Sequence, residues 1–195
     1  MRPIKQKHIL ALLALIAFFP VAALEAEAQT VDIPKGWVVH KPAAGLFSIS
    51  MPNQPKVNTE NMGGEAAGIK TTYHTSESDD AIAIIADMHN LPLQADRMSA
   101  KDTNEIFDNF RTGLTEGFQE SFAKSGLKME VKFEESKSIT FGGLKGIDQN
   151  VTIGTFKART RMLLAKDHIY LMFVMGLGDD STPESVINSF KYLGK

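Results

Sequence analysis

The chain has 195 residues, enough for one hydrophobic core, and no cysteine, which excludes disulfides, thiol nucleophiles and cysteine-ligated zinc or iron–sulfur sites. Its formal charge of −2 lacks the basic excess that gains affinity from counterion release on nucleic acid, or that holds a protein on anionic lipid. No G-x-x-x-x-G-K phosphate loop occurs.

The first element in chain order is a leader. Arg2, Lys5 and Lys7 precede an apolar run, Ile9 to Ala23, and Ala26-Glu27-Ala28 supplies the small-x-small pattern that a signal peptidase pocket admits. The run is 15 residues long and broken by Pro20, short of the roughly 20 that span a bilayer. Residues 1–28 therefore read as a signal peptide, with a retained anchor as the rival reading, and the protein is expected in the periplasm or outside the cell. Lipid attachment would need a cysteine, so no stable membrane insertion is expected after cleavage. Removal of three basic and two acidic residues leaves 167 residues with a formal charge of −3. An exported protein meets little nucleotide, which disfavours ATP-dependent chemistry.

Residues 29–36 read as a flexible lead-in and residues 37–195 as a single domain. Trp37 to His40 reads as a short strand, and Pro42 and Gly45 turn the chain. Leu46 to Met51 alternates, with Phe47, Ile49 and Met51 on one side, until Pro52 and Pro55 end it. Asn58 to Gly68 is polar, with Gly63-Gly64 at its centre, and reads as a mobile loop that could carry recognition. Ile69 to Thr75 alternates again. Ser76 to Asp80 turns, and Ala81 to Met88 is nearly continuous in apolar character, as in a strand covered on both faces. Asn90 to Ser99 is irregular.

The period then changes. Ile106, Phe107, Phe110, Leu114, Phe118 and Phe122 recur at helical spacing, with Asp102 and Glu105 suggesting the start and Gly126 the stop. Alternation returns at Met129, Val131 and Phe133, then at Ile139 and Phe141 leading into a Gly142-Gly143 hairpin, with Ile147 to Ile153 on the return. Ala158–Leu164 and Ile169–Met175 form a further pair joined at Lys166-Asp167. Ser181 to Glu184 opens a short helix with Val186, Ile187 and Phe190 inward and Gly194 at its end. Strand runs with hairpin joints predict an α+β fold, a three-layer α/β/α sandwich around a mainly antiparallel sheet.

Several local patterns resemble the PsbP-like superfamily. Leu46-Phe47-Ser48-Ile49-Ser50-Met51-Pro52 followed by Pro55 is similar to its opening signature. Ile139 to Gly146 resembles its glycine turn, Arg159–Leu164 with Ile169-Tyr170-Leu171 its paired strands, and Asn188-Ser189-Phe190-Lys191 its closing helix. The resemblance covers Trp37 to about Tyr192. It implies the same sandwich and a non-catalytic, partner-binding role.

Lys157, Arg159 and Arg161 alternate along one strand and so share a face, which could grip an anionic headgroup or carboxylate. The plainer reading is a solvated edge neutralised by Glu130 or Glu134. His40, His74, His89 and His168 remain after cleavage, scattered and in no metal-ligand spacing, and read as surface residues, His74 on the polar side of its strand; a chance site of His40, His74 and Asp87 stays open. Met88, Met129, Met162, Met172 and Met175 read as core filling rather than soft-metal ligands. Two S-x-x-K matches lack their companion motifs, and Asp79-Asp80 and Asp179-Asp180 sit in turns. The sequence thus predicts no catalytic residue, metal or cofactor. It predicts an exported, non-enzymatic accessory or binding protein of the cell envelope that docks an envelope or periplasmic protein. The alternative is a periplasmic small-ligand or metal carrier, and after that a hydrolase with a dispersed site.

Overall fold

Alternating side chains along the chain produce two antiparallel sheets in the computed structural model, which describes residues 36–43, 46–61, 68–91, 94–124, 129–178 and 182–194. Residues 1–28, read above as a signal peptide, together with Gly63-Gly64, Gly126 and Asp179-Asp180, lie outside the described residues. The strands are β1 (Val38–His40), β2 (Phe47–Met51), β3 (Lys56–Asn61), β4 (Lys70–Glu77), β5 (Ala81–His89), β6 (Val131–Phe133), β7 (Lys137–Phe141), β8 (Leu144–Ile153), β9 (Phe156–Leu164), β10 (His168–Gly176) and β11 (Lys191–Tyr192). Among the described residues the helices are α1 (Ala100–Lys124) and α2 (Thr182–Asn188), and a 3-10 turn lies at Ala95–Arg97. The large sheet runs β3-β4-β5-β10-β9-β8-β6, with β7 also paired to β8. The small sheet runs β1-β2-β11. Among the described residues no helix is long and apolar enough to cross a membrane.

The central pair β5 and β10 aligns Ile169 with Met88 and Met175 with Ile82, so neighbouring side chains share a face of the sheet. One face packs on α1, where Phe107, Phe110 and Leu114 meet Ile147, Val151, Met162, Leu171 and Phe173. The other face carries Ala83, Ile85, Leu163, Met172 and Val174 and is covered by Phe47, Ile49 and Met51 of the small sheet and by Val186, Ile187 and Phe190 at α2. Helix α2 therefore shares that face with a second sheet. Each fully buried large apolar side chain here contributes about 1.5–3 kcal/mol.

Four expectations are corrected. Asn58–Asn61 is not loop but the outer half of β3, an edge strand whose side chains are mostly exposed, so no apolar alternation marked it. The helix starts one turn earlier than read, because Ser99 caps it: its Oγ accepts from the Asp102 amide at 3.2 Å and donates to Asp102 Oδ2 at 2.7 Å. The closing helix ends at Asn188 rather than Gly194, since the chain turns at Ser189 and extends into β11 beside β2. The histidines are not all surface residues, as the next subsection describes.

The Gly142-Gly143 hairpin stands as read, with φ of 57° and 81°, the left-handed pair that a two-residue turn requires. Three residues on, Gly146 lies so close to β9 that a Cβ would sit 2.0 Å from the Met162 carbonyl oxygen. The glycine turn of the sequence thus combines one conformational demand with one steric demand.

Candidate functional site

Every histidine of the described residues meets at one end of the second core. On β4, Thr72 and His74 alternate onto the face that carries Ile85; on β5, Asp87 and His89 continue the line of Ile85; on β10, His168 continues that of Tyr170. Register places Asp87 opposite Thr72 on one side and Tyr170 on the other, and His89 opposite His168. The small sheet adds His40, the last residue of β1, across from His74. The apolar layer gives out here, and these polar groups line a cleft of about 360 Å³ with Lys41, Pro42, Ala43 and Val57.

The geometry divides into two pairs. His40 Nε2 and His74 Nδ1 stand 2.9 Å apart, sharing one hydrogen, with ring centroids at 4.8 Å. Phe47 packs edge-on to both rings. Both imidazoles are buried, at 7% and 2% exposure, and burial pushes each down to about 4; at His74 the neighbouring His40 adds to the depression and Asp87 opposes it. The far nitrogen of His74, Nε2, is buried with no hydrogen-bond partner. In the second pair, His168 Nδ1 lies 2.6 Å from Asp87 Oδ1. The His168 ring stacks with His89 at 5.6 Å and with Tyr170 at 5.7 Å, and His89 Nε2 lies 3.4 Å from Thr72 Oγ1. Thr72 in turn hydrogen-bonds Thr59 on the edge strand at 3.0 Å. Among the described residues no three metal-ligating groups stand in coordinating positions as the side chains are placed.

The expected surface positions of His40 and His74 are therefore corrected, and the open grouping of His40, His74 and Asp87 is brought together with two further histidines. Asp87 was the legible signal: a carboxylate inside a strand covered on both faces must find a partner.

The basic strip is placed differently from its expected open face. Lys157 is exposed, but Arg159 is only partly so, and Arg161 is buried at 3%. Both arginines grip Asp148 of the adjacent strand, Arg159 Nη2 at 2.6 Å and Arg161 Nη2 at 2.8 Å. Arg159 also pairs with Glu184 of α2 at 3.1 Å. Arg161 reaches Asn188 Oδ1 at 3.1 Å, and its guanidinium lies 4.3 Å from the centre of the Phe141 ring. Burial alone would raise the Asp148 carboxyl, but hydrogen bonds from Arg159 and Arg161 outweigh it and hold the group below its ordinary value. The strip fastens α2 to the sheet. Its partner is Asp148 rather than the expected Glu130 or Glu134, which bond Lys132 and Asn150 respectively. Gly63 and Gly64 lie outside the described residues.

No protein-family model matches the chain, and no curated protein does. Solved structures to which the chain is similar include the solution structure of cyanobacterial PsbP from Synechocystis sp. PCC 6803, at 9% identity and a TM-score of 0.45, covering 85% of this chain and 98% of that one. A crystal structure of a protein of unknown function from Pseudomonas aeruginosa is similar at 9% identity and a TM-score of 0.30, covering 75% of this chain and 86% of that one. Neither carries a residue role over to this chain.

Proposed function

We propose that the protein is an exported, non-enzymatic binding protein of the cell envelope whose ligand site is the histidine cleft. One observation carries this reading. Four histidines from four strands of two sheets, together with a buried aspartate, meet at a single opening. Polar groups concentrated in an otherwise apolar layer lower stability unless they serve a ligand or one another. The leader over residues 1–28 supports the location, and the fold supports a layered reading with α1 on one face of the large sheet and α2 with the small sheet on the other. An envelope or periplasmic protein is the expected partner that delivers or receives the ligand.

A hydrolase is the second reading, since the Asp87–His168 hydrogen bond is the geometry that orients a general base. Binding is preferred because two of the four imidazoles face each other instead of open space. Native mass spectrometry of the protein purified from its own envelope tests the proposal. The expected result is one small adduct per chain, lost in a His89→Phe/His168→Phe variant. The proposal fails if no adduct is found and no member of a thermal-shift panel of metals and metabolites stabilises the protein, because a ligand at about 100 times its Kd adds about 2.7 kcal/mol.

A further inference from the structure

We infer that two copies of the chain associate through the outer edge of β3, antiparallel about a two-fold axis at Asn58, to form one continuous sheet. The partner is a second copy because the strand is complementary to itself in charge. With Asn58 opposite its own counterpart, Lys56 of each copy meets Glu60 of the other, and Val57 meets Thr59. The inference does not depend on what the cleft binds.

The first observation is the edge itself. Strand β3 stands at one end of the large sheet, and among the described residues no strand pairs with its outer side. Its register with β4 runs unbroken over its six residues, from Lys56 opposite Thr75 to Asn61 opposite Lys70, with no proline and no bulge. Such an edge is a ready template for another strand. The other edges are blunted by their length. The far side of β8 is divided between β6, of three residues, and β7, of five, and the small sheet ends in β1, of three, and β11, of two.

The second observation is what the edge carries. Val57 is 55% exposed, the most exposed large apolar side chain among the described residues. Across the axis it lies beside Thr59, and that β-branched pair covers it. On the opposite face, the residues that β4 sets against Lys56 and Glu60 are Thr75 and Thr71, neither of them charged. Asn58 holds Glu60 on that face through Nδ2 at 3.2 Å. Two Lys56–Glu60 pairs then flank the axis, whereas parallel pairing in register would set like charges side by side. Residues directly opposite share a face, so the axis stands perpendicular to the sheet. Val57 lines the histidine cleft, and Thr59 hydrogen-bonds Thr72 within it. Both clefts of the dimer therefore open on the same side and flank the axis.

The test is sedimentation equilibrium of the purified protein up to about 1 mM. The expected result is a monomer–dimer equilibrium with a Kd of about 10–100 μM, weak because about five residues a side meet, against the roughly 20–30 of a standard interface. Lys56→Glu and Glu60→Lys, each shown folded by circular dichroism, should each weaken association at least about 10-fold, because every change occurs twice about the axis. Mixing the two variants should restore association, since every facing pair is then again of opposite charge. A role confined to folding of the single chain would not produce that rescue. The chain has no cysteine, so Asn58→Cys should cross-link to its counterpart under mild oxidation, opposite residues lying about 4.5–5.5 Å apart at Cα; Val57→Cys, whose copies lie diagonally at about 7–8 Å, should not. Should a reversal fail to fold, the two cysteine variants decide. A protein monomeric at about 1 mM, reversals that leave the dimer intact, variants that stay apart when mixed, or cross-linking at residue 57 in preference to 58 overturns the inference. Protection of the β3 amides from hydrogen exchange that arises only with a different envelope protein gives the edge to that partner and overturns it as well.

Discussion

In metal-free buffer, acidification should loosen the junction between the two sheets before most carboxylates titrate. His40 and His74 have an ordinary value of 6.5 and are held near 4 in the fold, because burial penalises the charged ring. Between those values the unfolded chain binds more protons than the native one. The stability these groups contribute is therefore complete above about 6.5 and is lost as pH falls towards 4. At about 1.36 kcal/mol per pH unit, the fall to pH 4.5 costs about 2–3 kcal/mol for the first histidine. The second is resisted further, since its nitrogen lies 2.9 Å from the new charge. Asp148, held below 3.8, keeps its contribution across this window and loses it only at lower pH. The assay is urea unfolding at stepped pH, followed by the fluorescence of Trp37, the single tryptophan, which packs partly buried against the second core. The wild type should lose about 5 kcal/mol more between pH 7 and 4.5 than a His40→Phe/His74→Phe variant, since the native fold holds both rings neutral across that window. Parallel curves for the two proteins would refute the reasoning.

Asp148→Ala should destabilise by about 3–5 kcal/mol, because it strands the buried Arg161 guanidinium; a loss under about 1 kcal/mol in chemical denaturation would count against the network. Gly146→Ala should cost about 1–3 kcal/mol, since its Cβ meets the Met162 backbone of β9; Gly142→Ala, where nothing lies within 4 Å but the left-handed φ of 57° penalises a Cβ, should cost about 1 kcal/mol, and a Gly146→Ala protein as stable as the wild type would show the β9 contact to be slack. Ser99→Ala should remove the α1 cap at a cost of about 1 kcal/mol, and unchanged stability would move the helix start elsewhere.

Much of the fold is legible because burial on one or both faces leaves a period in the sequence. Phe47, Ile49 and Met51 announced β2, and the phenylalanine stripe announced α1. Strand β3 was missed because an exposed edge needs no apolar face, and β11 because two residues hold no period. The cleft was harder to read for a different reason. His40, His74, His89 and His168 are brought together by register between strands distant in sequence, and no local spacing encodes register. Asp87 alone pointed there, as a charge inside an apolar run. The arginines were correctly placed on a common face, but their acidic partner depended on which strand lay beside them, and Asp148 does.

The two-residue strand β11 has a consequence for assembly. It pairs Tyr192 with Phe47, so the small sheet joins the first described strands to nearly the last residues. A chain made from its N-terminus holds β1 and β2 without their third strand until Lys191 and Tyr192 have emerged. The large sheet has no such dependence, since its strands lie between residues 56 and 176. Closing so long a loop is entropically expensive and comes late. The imidazole pair joins β1 of that small sheet to β4 of the large one, so the strand that completes the small sheet braces one wall of the cleft without lining it.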